Sequence, residues 1–82
     1  MASTLERVQR VTAELLKVDT GRVQTGSRFV QDLGAESVQS IELVAAFEEE
    51  FDIEMNEDEA LGVKTVADAV TFIDRILASG KK

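Results

Sequence analysis

Three stretches of this chain repeat their apolar residues at the spacing of an α-helix, and that periodicity limits the fold more than any other feature. Leu5, Val8, Val11, Leu15 and Leu16 mark the first stretch. Ser3 with Glu6 supplies a capping box in front of it, and the helix is expected to run to about residue 18. In the second stretch, residues 37–51, Leu43, Phe47 and Phe51 form an i, i+4 ladder, while Ile41, Val44 and Ala45 lie on or beside another stripe. In the third, Val66, Ala69, Val70, Ile73, Ile76 and Leu77 share one face behind Thr65 and Asp68, which read as a helix start. Asn56 with Glu59 can cap a short helix between the last two, closed by Gly62. The expected fold is all-α, a small antiparallel four-helix bundle of three long helices and one short. It is expected to form one domain over residues 1–82, with an ordered core over about 3–78 and a frayed "ASGKK" end.

The connection between the first two helices, residues 19–36, is longer than such connections usually are, which points to function. Phe29, Val30 and Leu33 are expected to pin it to the core. What the chain lacks narrows that function. It has no Cys and no His, so disulfides, thiolate chemistry and the commonest general base and metal ligand are excluded. A serine nucleophile would need a base, and the nearest lysines in sequence to the middle of the chain are Lys17 and Lys64. Asp52, Glu54, Asn56 and Asp58 alternate like a calcium loop. The sixth and twelfth positions, however, are Glu57 and Val63, where glycine and a bidentate glutamate are required. No catalytic residue and no metal site is expected. No apolar run approaches the ~20 residues that span a bilayer, and "MASTLERVQR" has no signal-peptide core, so the expected location is cytoplasmic.

The charge is sharply divided. Residues 29–63 contain eleven acids and no Lys or Arg, whereas the remainder holds nine bases and five acids. A run of acids is most often a solvated helix face, but so sharp a division points to a basic partner and argues against nucleic acid. Helix two has apolar residues around too much of its circumference for burial on one face. Ile41, with Ala45 and Val38, is expected near the surface, rimmed by Glu42, Glu48 and Glu49, as a docking patch would be. Within "DLGAESVQSIEL", Gly34 provides a turn and Ser37 sits at the mouth of helix two. Taken alone, such a serine reads first as an N-cap.

The run "SRFVQDLGAESVQSIELVAAFEEEFDIEMNEDEA" closely resembles the acyl carrier proteins, whose motif is D-L-G-[AG]-D-S-L followed by E-L-[VI]-x-x-[LF]-E-E-x-F. "ERVQRVTAELLKV" and "KTVADAVTFI" extend the resemblance to the family's first and last helices. It implies a free-standing bacterial-type carrier, non-catalytic and monomeric. Ser37 would receive a 4′-phosphopantetheine arm from coenzyme A through a phosphodiester, and the arm's thiol would hold acyl groups as thioesters. The partners implied are a phosphopantetheinyl transferase and acyl-transferring and elongating enzymes with basic docking patches, in fatty-acid or related biosynthesis. Glu36, Val38, Ile41, Glu42, Ala45, Glu48 and Glu49 would form the docking face. Phe29, Val30, Phe47, Phe51, Ala60, Val63 and Ala69 match core positions, some of which line the family's acyl cavity. Two positions depart from the pattern: Glu36 stands for Asp, and Val38 for Leu. An aminoacyl or polyketide carrier is the alternative within the class; an acidic helical adaptor with an unmodified serine is the alternative outside it.

Overall fold

A computed structural model describes residues 3–79, with four α-helices in chain order: α1 (Thr4–Leu16), α2 (Ser37–Phe51), α3 (Glu57–Ala60) and α4 (Val66–Ser79). A single 3-10 turn, Thr20–Arg22, interrupts the long connection, and among the described residues there is no β-strand. The helices begin where their cap residues place them. Ser3 Oγ accepts the Glu6 N–H at 3.2 Å, and Glu6 returns the bond to the Ser3 N–H at 3.1 Å. Asn56 Oδ1 accepts the Asp58 N–H at 2.8 Å, and Thr65 Oγ1 accepts that of Asp68 at 3.1 Å. Both α1 and α2 end on a non-glycine residue in the left-handed conformation, Lys17 (φ 58°) and Asp52 (φ 54°). The residues that follow each cap close the ends, Val18 donating to the Ala13 carbonyl and Ile53 to that of Glu48.

α1 packs against both α2 and α4. The buried core draws Val8, Val11 and Ala13 from α1, the Leu43–Phe47–Phe51 ladder from α2, and Val66, Ala69 and Ile73 from α4. Leu77 does not complete the α4 face as its spacing suggested. It is 43% exposed, one position beyond the partly buried Ile76 near the end of the helix.

The long connection is built into the fold. Gln9 Nε2 donates to the Val23 carbonyl at 2.7 Å, holding its first part against α1. Further along, the Thr25 and Ser27 carbonyls accept the N–H groups of Ala67 and Val66, at 2.9 and 3.0 Å. Those are first-turn donors of α4 that have no partner within their own helix. In return the Phe29 N–H donates to the Lys64 carbonyl at 3.0 Å. Phe29 and Leu33 are buried, as expected, but Val30 is 57% exposed. The reason is local geometry. Asp32 and Leu33 both donate to the Arg28 carbonyl, so residues 28–33 turn helically and only positions four apart share the inward face.

Candidate functional site

The turn that carries Phe29 inward also brings the chain to the mouth of α2. The Gly34 N–H donates to the Val30 carbonyl and the Ala35 N–H to that of Phe29, at 3.2 and 2.8 Å. Gly34 has φ +73°, a conformation that glycine adopts without steric cost. Asp32 fastens the base of this turn. Its Oδ2 accepts the main-chain N–H of Arg28 at 2.8 Å and the Arg28 Nε at 3.2 Å. The main-chain bond, more than the guanidinium, holds the Asp32 carboxyl below its ordinary range.

Ser37 is the first residue of α2 and is exposed. It is not the cap. Glu36 occupies that position, with extended backbone, and its N–H is taken by Gln39 Oε1 at 3.0 Å. The serine hydroxyl is therefore not drawn into capping, and it stands where the positive end of the α2 dipole favours an anion. Val38 and Ile41 follow at 67% and 70% exposure, with Glu42, Ala45 and Glu49 also exposed. Six of the seven residues expected on the docking face, Glu36 among them, are thus at the surface.

The seventh, Glu48, is half-buried and is bonded within the fold. Its Oε2 accepts the Met55 N–H at 2.9 Å. The run Glu48–Glu49–Glu50 in fact divides three ways. Glu49 faces outward. Glu50 turns toward α1, where Arg7 Nε and Arg10 Nη2 each lie 2.8 Å from its Oε2. Arg7 also donates to the Glu50 carbonyl at 2.5 Å and lies 4.3 Å from the centre of the Phe51 ring. The two guanidinium groups, the Arg7 hydrogen bond foremost, hold the Glu50 carboxyl below its usual range. Sequence reasoning misses this pairing. Arginines three apart on α1 are its only signal, and nothing in the sequence says which acid they meet.

Of the remaining core positions, Phe29, Phe47, Phe51, Ala60 and Ala69 are buried, whereas Val63 is partly buried and lines a surface cleft beside α4. The Phe29 and Phe47 rings lie 6.4 Å apart, tilted by 52°, with Phe47 only 2% exposed. Two clefts open on the surface. One of about 540 Å³ lies between α1 and α2, and another of about 350 Å³ lies beside α4 near Val63 and Phe72. Neither is lined by Phe29, Phe47, Phe51 or Ala69.

The phosphopantetheine attachment site family matches residues 6–73. An acyl carrier protein of Phenylobacterium zucineum (strain HLK1) is 47% identical over 79 residues, which is 96% of this chain and all of that protein. The chain belongs to the acyl carrier protein family. Members are carriers rather than catalysts and bear a covalent 4′-phosphopantetheine, so this carrier acts with enzymes that modify it and enzymes that use its cargo. Its surface fits such a group, because an exposed hydroxyl lies at a helix mouth beside exposed apolar side chains. Among the described residues no helix is long and apolar enough to cross a membrane.

Proposed function

We propose that Ser37 is the attachment residue, and that residues 1–82 act as one carrier domain serving fatty-acid or related biosynthesis in the cytoplasm. The observation that supports this most is the placement of Ser37: an exposed hydroxyl on the first turn of α2, spared from capping by Glu36. Transfer forms a bond from Ser37 Oγ to the phosphorus of coenzyme A's pantetheine phosphate. The phosphoanhydride breaks, its nucleotide leaves, and the serine proton passes to the transferase. When bound, the arm supplies the thiol that this chain lacks, on which acyl groups are held. The carrier's own residues position the hydroxyl, offer the α2 amino terminus to the phosphate, and present the docking face. Val38, Ile41 and Ala45 give that face its apolar centre. Glu36, Glu42 and Glu49 give it charge, which sets the rate of encounter with basic enzymes. Glu48 contributes from the rim while it holds the Met55 N–H.

Incubation with coenzyme A, Mg²⁺ and a broad-specificity transferase is expected to add one phosphopantetheine mass. Ser37→Ala is expected to abolish the addition with the helical circular dichroism unchanged. Attachment at Ser40, or continued modification of Ser37→Ala, would reject the assignment.

A further inference from the structure

Asp32 has no place on the docking face, yet it has more bonds to the segment ahead of Ser37 than any other side chain. Its carboxylate receives both the main-chain N–H and the side chain of Arg28, while its own N–H returns to the Arg28 carbonyl at 2.9 Å. Arg28 is also where this segment meets α4. It pairs with Thr65 in an isolated bridge, and its neighbours Ser27 and Phe29 bond to Val66 and Lys64. Two residues before Ser37, the chain returns through the Ala35–Phe29 bond to that same point. Residues 28–35 are thus a closed turn, fixed at its base to the mouth of α4 and opening at its end onto the mouth of α2. The one side chain that closes the base is Asp32.

We propose that Asp32 is a positioning residue for the modification of Ser37. By clasping the Arg28 main chain it fixes the direction in which α2 begins, and so the place of the Ser37 hydroxyl within a transferase already docked on α2. This rests on Ser37 being the attachment residue. The mechanism separates two kinds of residue. Those on the docking face govern association, and their loss raises KM. Asp32 is bonded to Arg28 within the turn; its loss is expected to leave docking in place and to misplace the nucleophile, which lowers kcat. Because the strongest contact is to a main-chain N–H, the acceptor matters more than the charge. Arg28→Ala keeps that N–H and should cost less than Asp32→Ala.

The decisive measurement is steady-state transfer from coenzyme A with the carrier as the varied substrate. Asp32→Ala is expected to lower kcat roughly tenfold or more, as misplacement of a nucleophile by a fraction of an ångström to one ångström does, with KM within about twofold. Asp32→Asn keeps an acceptor at the same reach and is expected to recover most of the rate. Asp32→Glu keeps the charge but displaces the acceptor, and is expected to fall below Asp32→Asn; this pair decides the question even if Asp32→Ala does not fold. An unchanged kcat in Asp32→Ala, or Asp32→Glu equalling Asp32→Asn, would overturn the proposal. Loss of the Ser37 assignment itself would show separately, as modification that persists in Ser37→Ala.

Discussion

On one side of α2, Leu43, Phe47 and Phe51 are buried against α1 and the long connection. On the other, Val38 and Ile41 keep two-thirds or more of their surface in water. Both stripes are apolar and both sit on the same fifteen-residue helix. The inner one is fixed by packing and by its flanking acid, Glu50, which is tied to α1. The outer one is left largely uncovered by the described residues of its own chain. A stripe that the fold does not need, ringed by exposed acids such as Glu42 and Glu49, is what a surface reserved for another molecule looks like.

The largest break in this contrast should come at Phe47. Phe47→Ala is expected to destabilise the protein by about 3–5 kcal/mol, read from chemical denaturation. A medium-length acyl chain attached to Ser37 then tests the inner stripe for cargo: selective rescue of the Phe47→Ala melting temperature would mean that acyl chains enter here. Equal shifts in the variant and the parent would mean that they do not.

Glu50 comes next. Its carboxyl is held low in the folded protein by Arg7 and Arg10, so the native state binds fewer protons there than the unfolded chain. Its contribution is complete above the unfolded carboxylate range and is lost as pH falls through the depressed folded value. Glu50→Gln is expected to cost about 1–2 kcal/mol near neutral pH, and the difference from the parent should shrink in acid. The acidic window alone suggests the opposite, with repulsion raising its carboxyl pKa values and acid stabilising the fold. Glu50 and Asp32, both inside that window, are shifted downward because each meets a donor from outside it: Glu50 the α1 arginines that folding brings to it, and Asp32 the main-chain N–H and side chain of Arg28, four residues earlier.

The smallest effect on stability should come from the outer stripe. Ile41→Asp is expected to change the unfolding free energy by no more than about 0.5 kcal/mol. The same substitution should raise KM for phosphopantetheine transfer. A large loss of stability would place Ile41 with the inner residues and remove the contrast.

Much of this is legible in the sequence. The helix starts at Ser3, Asn56 and Thr65 are local signals, since cap and capped N–H lie within three residues of each other. The inner ladder follows from spacing alone. What escapes depends on contacts that only folding creates. Val30 looks like a core residue until the turn closed by Arg28 and Asp32 places only Phe29 and Leu33 inward. Glu48 and Glu50 look like surface charge because the Met55 N–H and the α1 arginines are brought to them only in the folded chain. That Ser37 stands at the mouth of α2 is legible in the sequence; that Glu36 rather than Ser37 caps the helix is not.

The bonds from Thr25, Ser27 and Phe29 to residues 64–67 also fix an order of events in time. A chain is made from its amino end, so Ser37 leaves the ribosome before the residues that anchor the approach to it have emerged. The turn ahead of Ser37 can reach its final form only after the start of α4 has emerged and docked. The mouth of α2 is thus among the last parts of the molecule to be finished, although it lies near the middle of the chain.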